Sequence, residues 1–146
     1  MQNIHFIGIG GIGISALARF LKEKGFNISG SDLKESKITK ELEKEGVEVK
    51  IPHHKDNILG KDLVIYSAAI KEENPEFKYA KELNIKCLSR KEALPLILED
   101  KRVFAVAGAH GKSTTSSILS SLVNDASVII GAILKEFGSN MIYKES

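Results

Sequence analysis

The 146 residues carry 21 Lys plus Arg against 19 Asp plus Glu, for a net charge of +2. Apolar residues make up 42% and charged residues 27%, the balance of an ordinary globular chain rather than of a basic nucleic-acid arm or an acidic tail. No apolar run approaches the roughly 20 residues that span a membrane. The single Cys87 has no internal disulfide partner, and Met1 is not followed by a basic segment and a long apolar stretch. A reducing, cytoplasmic setting is therefore expected.

Taken in order, Ile4 to Ile9 reads as a short buried strand. Ile12 to Lys24 then switches to helical spacing, with Ile14, Leu17, Ala18 and Leu21 on one face and Gly25 as its stop. Asn27 to Gly30 is a second strand ending in Ser31-Asp32, Ile38 to Lys44 a short helix stopped by Gly46, and Val47 to Ile51 a third strand. Leu63 to Ser67 is a fourth strand. Asn74-Pro75 opens a helix to about Leu83, since proline suits a first helical position. Ile85 to Leu88 is a strand, and Ser89 with Glu92 forms a capping box for a helix through Leu98. Strands alternating with helices over short connections predict an α/β fold, a parallel sheet with helices on both faces.

The charged run Glu99-Asp100-Lys101-Arg102 is the expected domain boundary, giving residues 1–100 and 101–146. Beyond it, Val103 to Ala107 reads as a strand, Lys112 to Asn124 as a helix and Val128 to Ile130 as the start of another strand. These 46 residues are few for a domain of their own, so a truncated second domain is expected.

Two glycine loops lie between strand and helix. Gly8, Gly10 and Gly13 give G-x-G-x-x-G, with Asp32 19 residues further on. Small residues there permit a tight turn, close approach of a phosphate and helix–strand packing, while the helix N-terminus offers N–H groups and partial positive charge. The plain motif points to a dinucleotide whose ribose hydroxyl would be held by Asp32. An NAD-binding regulatory or dehydrogenase domain is therefore the alternative reading, and a glycine turn serving packing alone is the structural one. The second loop, Gly108-Ala109-His110-Gly111-Lys112-Ser113-Thr114, is a compact relative of the P-loop, with Val106 where the general pattern has its first glycine. Its Lys112 suits β/γ-phosphate oxygens and its Ser113 hydroxyl suits Mg²⁺; the alternative is a surface Gly-Lys-Ser at a helix start.

Smaller candidates are weaker. Ser67-Ala68-Ala69-Ile70 follows a strand, where ligands of such sheets bind. His53-His54 reads as an exposed loop pair, His5 as a strand residue, Cys87 as core, and His110 as shaping or contacting the second loop.

The run from His5 to Ala18, with Gly8, Gly10, Gly11, Ile12 and Gly13, resembles the N-terminus of the Mur ligases. So do Gly30-Ser31-Asp32, His53 with Asn57, Ser67-Ala68-Ala69-Ile70, Asn74-Pro75-Glu76 and Arg90. Ala107 to Thr115 is similar to that family's ATP loop, with Ala109 and Ser113 where threonine is usual and Ile14 where methionine is frequent. Gly131 to Leu134 and Gly138-Ser139-Asn140 are similar to the family's next segment after that loop. The resemblance implies a Rossmann-like domain that binds a UDP-sugar, UDP-N-acetylmuramate, in place of NAD. Gly8, Gly10, Gly11, Ile12 and Gly13 would take its pyrophosphate, with Ser31, Asp32, His53, Ser67, Ala68, Ala69 and Ile70 around the rest. It implies a second domain using ATP and Mg²⁺, with Gly108, Ala109, His110, Gly111, Lys112, Ser113 and Thr114 on ATP, Lys112 and Ser113 catalytic, and Ser113 on the metal. The implied reaction joins L-alanine to the sugar's carboxylate through an acyl phosphate in peptidoglycan precursor synthesis, with no nucleic-acid or membrane partner. These 146 residues alone are expected to bind the UDP-sugar weakly and not to catalyse. A related ligase that recycles a tripeptide onto the same sugar is the second choice.

Overall fold

The computed structural model describes residues 2–99, 102, 104–123, 126–134 and 139–142. Five strands, β1 (Asn3–Ile7), β2 (Asn27–Ser31), β3 (Glu48–Lys50), β4 (Leu63–Tyr66) and β5 (Lys86–Ser89), form one sheet in the order β3-β2-β1-β4-β5. Every pairing in it is parallel. The helices are α1 (Ile12–Glu23), α2 (Lys37–Lys44), α3 (Pro75–Glu82), α4 (Arg90–Ile97) and α5 (Lys112–Leu122), and a 3-10 turn spans Lys55–Ile58. The chain builds outward from β1 to β3 and then returns to β4 on the other side of β1. The order therefore reverses between β1 and β4, where open sheets of this kind carry their ligands.

Side-chain alternation on the central strands sorts the interior into two layers. Ile4 and Phe6 point with Ile28 and Ile65 into a core shared with Leu17, Leu21, Leu42 and Ala93. Ile7 and Val64 face the opposite way, onto Ile58, Phe77 and Ala80 of the 3-10 turn and α3. The in-between positions of that second face are polar: His5, Ser29 and Ser31 are all buried. The register aligns His5 with Ser29 and Ile7 with Ser31, so a single polar row crosses the sheet beneath α3.

Local chemistry sets the boundaries. Gly25 and Gly46 stop α1 and α2 at φ +88° and +82°, a region that costs any residue with a Cβ. Asn74 caps α3 by accepting from the N–H groups of Glu76 and Phe77, with Pro75 as the first helical residue. Ser89 and Glu92 close both arms of their capping box. Ser36 and Thr39 close another on α2, which the sequence does not announce because threonine stands where the pattern has Glu or Gln.

Two expectations change. Val103 lies outside the described residues, and 104–107 carry no strand. A strand exists only through its ladder, and among the described residues no neighbouring strand lies there to pair with it. Second, α1 is buried all round, including Ser15, Ala16, Arg19 and Phe20, not only on its sheet-facing stripe. An antiparallel ribbon of β6 (Val128–Leu134) and β7 (Ser139–Ile142) lies against α1. β7 has no counterpart among the elements expected from sequence. Asp100, Lys101, Asn124 and Gly138 lie outside the described residues.

Candidate functional site

At the strand-order reversal, the turn Gly8–Gly11 leaves the end of β1 and opens α1. Gly8 has φ +80°, and a Cβ there would stand 3.0 Å from Ser67 Cβ on the turn after β4. The N–H groups of Gly8 and Ile9 both donate to the Ser31 carbonyl at 2.9 Å, tying the turn to the end of β2. No side chain caps the N-terminus of α1, and its first turn holds no acid, so an anion placed before it meets unneutralised helix polarity.

A cleft of about 730 Å³ opens there, within the usual range for a ligand of this class. Of the residues expected on a UDP-sugar, Gly8, Gly10, Gly11, Asp32, His53, Ser67, Ala69 and Ile70 line it. Ile12, Gly13, Ser31 and Ala68 do not, and Ser31 is fully buried behind the wall. Lys34, Ser36, Lys71 and Asn74 also line the cleft and were not anticipated, because a lysine in a surface loop carries no sequence signal until topology brings it to a site.

Asp32 does a structural job beside the one the plain motif suggests. Its Oδ2 accepts the Gly10 N–H at 2.8 Å and its Oδ1 accepts the Leu33 N–H at 2.7 Å. The carboxylate therefore shapes the glycine turn. Gly10 is small because a Cβ would lie 2.8 Å from that same oxygen. At Gly13 a Cβ would lie 2.9 Å from Arg90 Nε, and that Nε donates to the Gly13 carbonyl at 3.0 Å. The third glycine of the motif thus makes room for an arginine from α4.

Beneath the cleft the polar row converges on Glu76, which is fully buried at the start of α3. The Ser31 hydroxyl donates to Glu76 Oε2. Asn57 Nδ2 and the His54 N–H donate to Oε1, at 2.6 and 3.2 Å. His53 Nδ1 lies 3.3 Å and His5 Nε2 3.7 Å from Oε2. Burial pushes the Glu76 carboxyl up, but the facing His5 and His53 rings together with Ser31 and Asn57 overcome it and hold the group well below the usual carboxylate range. The two adjacent histidines part company. His54 is exposed and caps the 3-10 turn, accepting from the Asp56 N–H at 3.3 Å. The His53 side chain is only 11% exposed. His5, on β1, is buried with Nδ1 3.0 Å from Ser29 Oγ. Glu76 escaped the sequence reading as a site residue; its signal was an acid just inside a helix preceded by His53 and Asn57, which becomes meaningful only once strand alternation puts Ser31 on the same face.

The second loop is exposed throughout Gly108 to Thr114. Gly108 and Gly111 have φ +155° and +77°. Lys112 Nζ turns back onto the loop, donating to the Gly108 carbonyl and, at 3.4 Å, to that of Ala109. Ser113 and Thr114 lie in the first turn of α5. Cys87 is half-buried beside the Ile7 layer, as a core residue would be. Among the described residues no group of His, Cys, Asp and Glu is arranged to hold a metal, and no helix is long and apolar enough to cross a membrane.

Residues 3–102 match the family model described as Mur ligase family, catalytic domain. The whole chain is 94% identical to 34% of the UDP-N-acetylmuramate–L-alanine ligase of Campylobacter jejuni subsp. jejuni serotype O:23/36 (strain 81-176). Among solved structures, the UDP-N-acetylmuramate–alanine ligase of Thermotoga maritima superposes with a TM-score of 0.90 at 34% identity, over 97% of this chain and 34% of that one. The UDP-N-acetylmuramate:L-alanyl-gamma-D-glutamyl-meso-diaminopimelate ligase of Neisseria meningitidis gives 0.88 at 29%, over 97% and 46%. The chain spans about a third of the length of the curated relatives it matches. The NAD-binding alternative finds no support among them.

Proposed function

This chain belongs to the Mur ligase family, and we propose that it supplies the UDP-sugar cleft and the ATP phosphate loop of a ligase joining L-alanine to UDP-N-acetylmuramate. The observation that carries the reading is the cleft at the β1/β4 reversal, where a glycine turn and the uncapped N-terminus of α1 face a space of about 730 Å³. The pyrophosphate would lie on that N-terminus, with Lys34 and Lys71 on the walls to neutralise it. Ser67, Ala69 and Ile70 would contact the nucleoside side. The choice of the alanine-adding enzyme over the tripeptide-adding one rests on the 94% identity to a relative of that name.

The backbone of the second loop supports a role with ATP and Mg²⁺. Left-handed backbone at Gly111 turns the loop into the start of α5, and no atom lies within 4 Å of where a Cβ would be, which leaves room for phosphate oxygens to approach main-chain N–H groups. Gly108, Ala109, His110, Gly111 and Thr114 would form the cradle, Lys112 would exchange its loop carbonyls for phosphate oxygens, and Ser113 would ligate the metal. Bound Mg²⁺ supplies charge neutralisation at the phosphates. The division at about residue 100 and the role of 101–146 as the first part of an ATP-binding domain belong to the same proposal.

Thermal-shift titration of the 146-residue chain tests it. UDP-N-acetylmuramate raises the Tm with concentration as RT ln(1 + [L]/Kd) requires, while NAD does not. Stabilisation by NAD and not by the UDP-sugar overturns the proposal. Alanine-dependent ADP release is expected from the full-length protein and not from these 146 residues alone.

A further inference from the structure

We propose that Glu76 is a positioning residue for His53: acting through Ser31, it fixes the proton on His53 Nδ1 and leaves Nε2 as a hydrogen-bond acceptor for the ligand in the cleft. The inference rests on the cleft being a nucleotide-sugar site.

The argument is a proton count. An ionised carboxylate only accepts, and the hydrogen bonds around Glu76 keep it ionised. The Ser31 hydroxyl has one proton and donates it to Glu76 Oε2. Ser31 Oγ is also 2.9 Å from His53 Nδ1. With its proton spent, that oxygen can only accept, so Nδ1 must carry the hydrogen. Glu76 Oε2, 3.3 Å from the same nitrogen, favours the same tautomer. In the neutral ring Nε2 is then a bare lone pair. His53 lines the cleft, and its side chain keeps 11% of its surface exposed.

The carboxylate is itself held in place. Oε1 takes Asn57 Nδ2 and the His54 N–H, so the oxygen turned to Ser31 and His53 is not interchangeable with the other. An apolar side chain would pack the same space without this constraint, whereas the acid transmits one orientation and one tautomer to a ring at the cleft wall. An acceptor there selects a donor on the ligand. A ring N–H of the base and a hydroxyl of the sugar share that chemistry.

Nitrogen-detected NMR of ring tautomers in the 146-residue chain, with calorimetric titration of uridine diphosphate, its 3-methyluridine analogue and UDP-N-acetylmuramate, tests the proposal. The Nδ1–H tautomer is expected for His53 in the unaltered chain. Glu76→Gln supplies an amide that donates to Ser31, frees the hydroxyl proton for Nδ1 and moves His53 toward Nε2–H. Glu76→Met removes the acceptor altogether, leaves the Ser31 proton for Nδ1, and serves where the glutamine variant fails to fold. Glu76→Gln and His53→Ala each weaken binding about tenfold, the worth of one hydrogen bond, and the double variant is no weaker than His53→Ala alone. An equal loss with the 3-methyl analogue assigns the donor to the base; retention of its affinity, with loss confined to the full sugar nucleotide, assigns it to a hydroxyl. An Nε2–H tautomer in the unaltered chain, a tautomer indifferent to both variants, or additive losses overturn the proposal. A chain that binds no uridine nucleotide refutes the cleft reading, while the tautomer measurement still decides the role of Glu76.

Discussion

The two glycine loops share a sequence style and differ in how they are held. The first is bound on every side: its backbone hangs from the Ser31 carbonyl, Asp32 grips Gly10, Ser67 presses on Gly8, and Arg90 fills the space over Gly13. The second is exposed, and its lysine answers its own carbonyls. A glycine is therefore demanded by neighbours in the first loop and by backbone conformation alone in the second. Preorganisation belongs to the first; among the described residues the second has no comparable surround.

Glycine-to-alanine substitutions break this comparison open, beginning with Gly30. A Cβ there would lie 2.4 Å from Ile9 Cδ1 and 2.9 Å from the Phe6 carbonyl, at the root of the first loop. Gly30→Ala is expected to cost about 3 kcal/mol by overpacking, read as a lower urea midpoint. Next come Gly8→Ala and Gly111→Ala, which begin from the same penalty because their φ values are +80° and +77°. That shared penalty is about 1 kcal/mol. Only Gly8 adds a close contact, with Ser67 Cβ at 3.0 Å, so its variant should be the less stable of the two. Equal midpoints would mean that the first loop yields as freely as the second.

A smaller effect probes the support beneath the first loop. Folding lowers the Glu76 pKa below the ordinary carboxylate value of 4.5. The folded state therefore gains its full contribution above 4.5 and loses it as pH falls toward the folded value. Glu76→Gln should abolish that dependence. The midpoint difference between the unaltered chain and the variant is largest near neutrality and shrinks as pH drops through about 4. A difference that stays constant with pH would show that folding leaves the Glu76 pKa where it stands in the unfolded chain, and one that grows as pH falls would show a carboxyl held neutral by folding.

Much of the first region was legible before any coordinates. Glycine stops, Asn74-Pro75 and the Ser89–Glu92 box mark helix ends because capping chemistry is local, and the sheet follows from strand–helix alternation. The glycine turn and Ser67–Ile70 announce themselves by position after strands. What escaped is non-local. Glu76 gains meaning only when alternation on β1 and β2 turns His5, Ser29 and Ser31 to its face. Arg90 reaches Gly13 across 77 positions, and Lys34 and Lys71 meet only in the folded cleft. In the second region the apolar stretch before Gly108 reads as a strand from composition, yet 104–107 make none and Phe104 is 66% exposed. Residue preference cannot supply a ladder partner.

The smallest expected effect on stability is the one that separates the loops most cleanly. Lys112 makes its only described hydrogen bonds to two carbonyls of its own exposed loop, and water replaces such contacts at little cost. Lys112→Ala should change the urea midpoint by no more than about 0.5 kcal/mol equivalent and leave UDP-N-acetylmuramate affinity unaltered, because the cleft contains no part of the second loop. In the full-length protein the same substitution should abolish alanine-dependent ADP release, since the charge proposed to meet the phosphates is gone. Loss of UDP-sugar affinity in the 146-residue variant would mean that the two loops share one ligand, and the division of labour between them would fall.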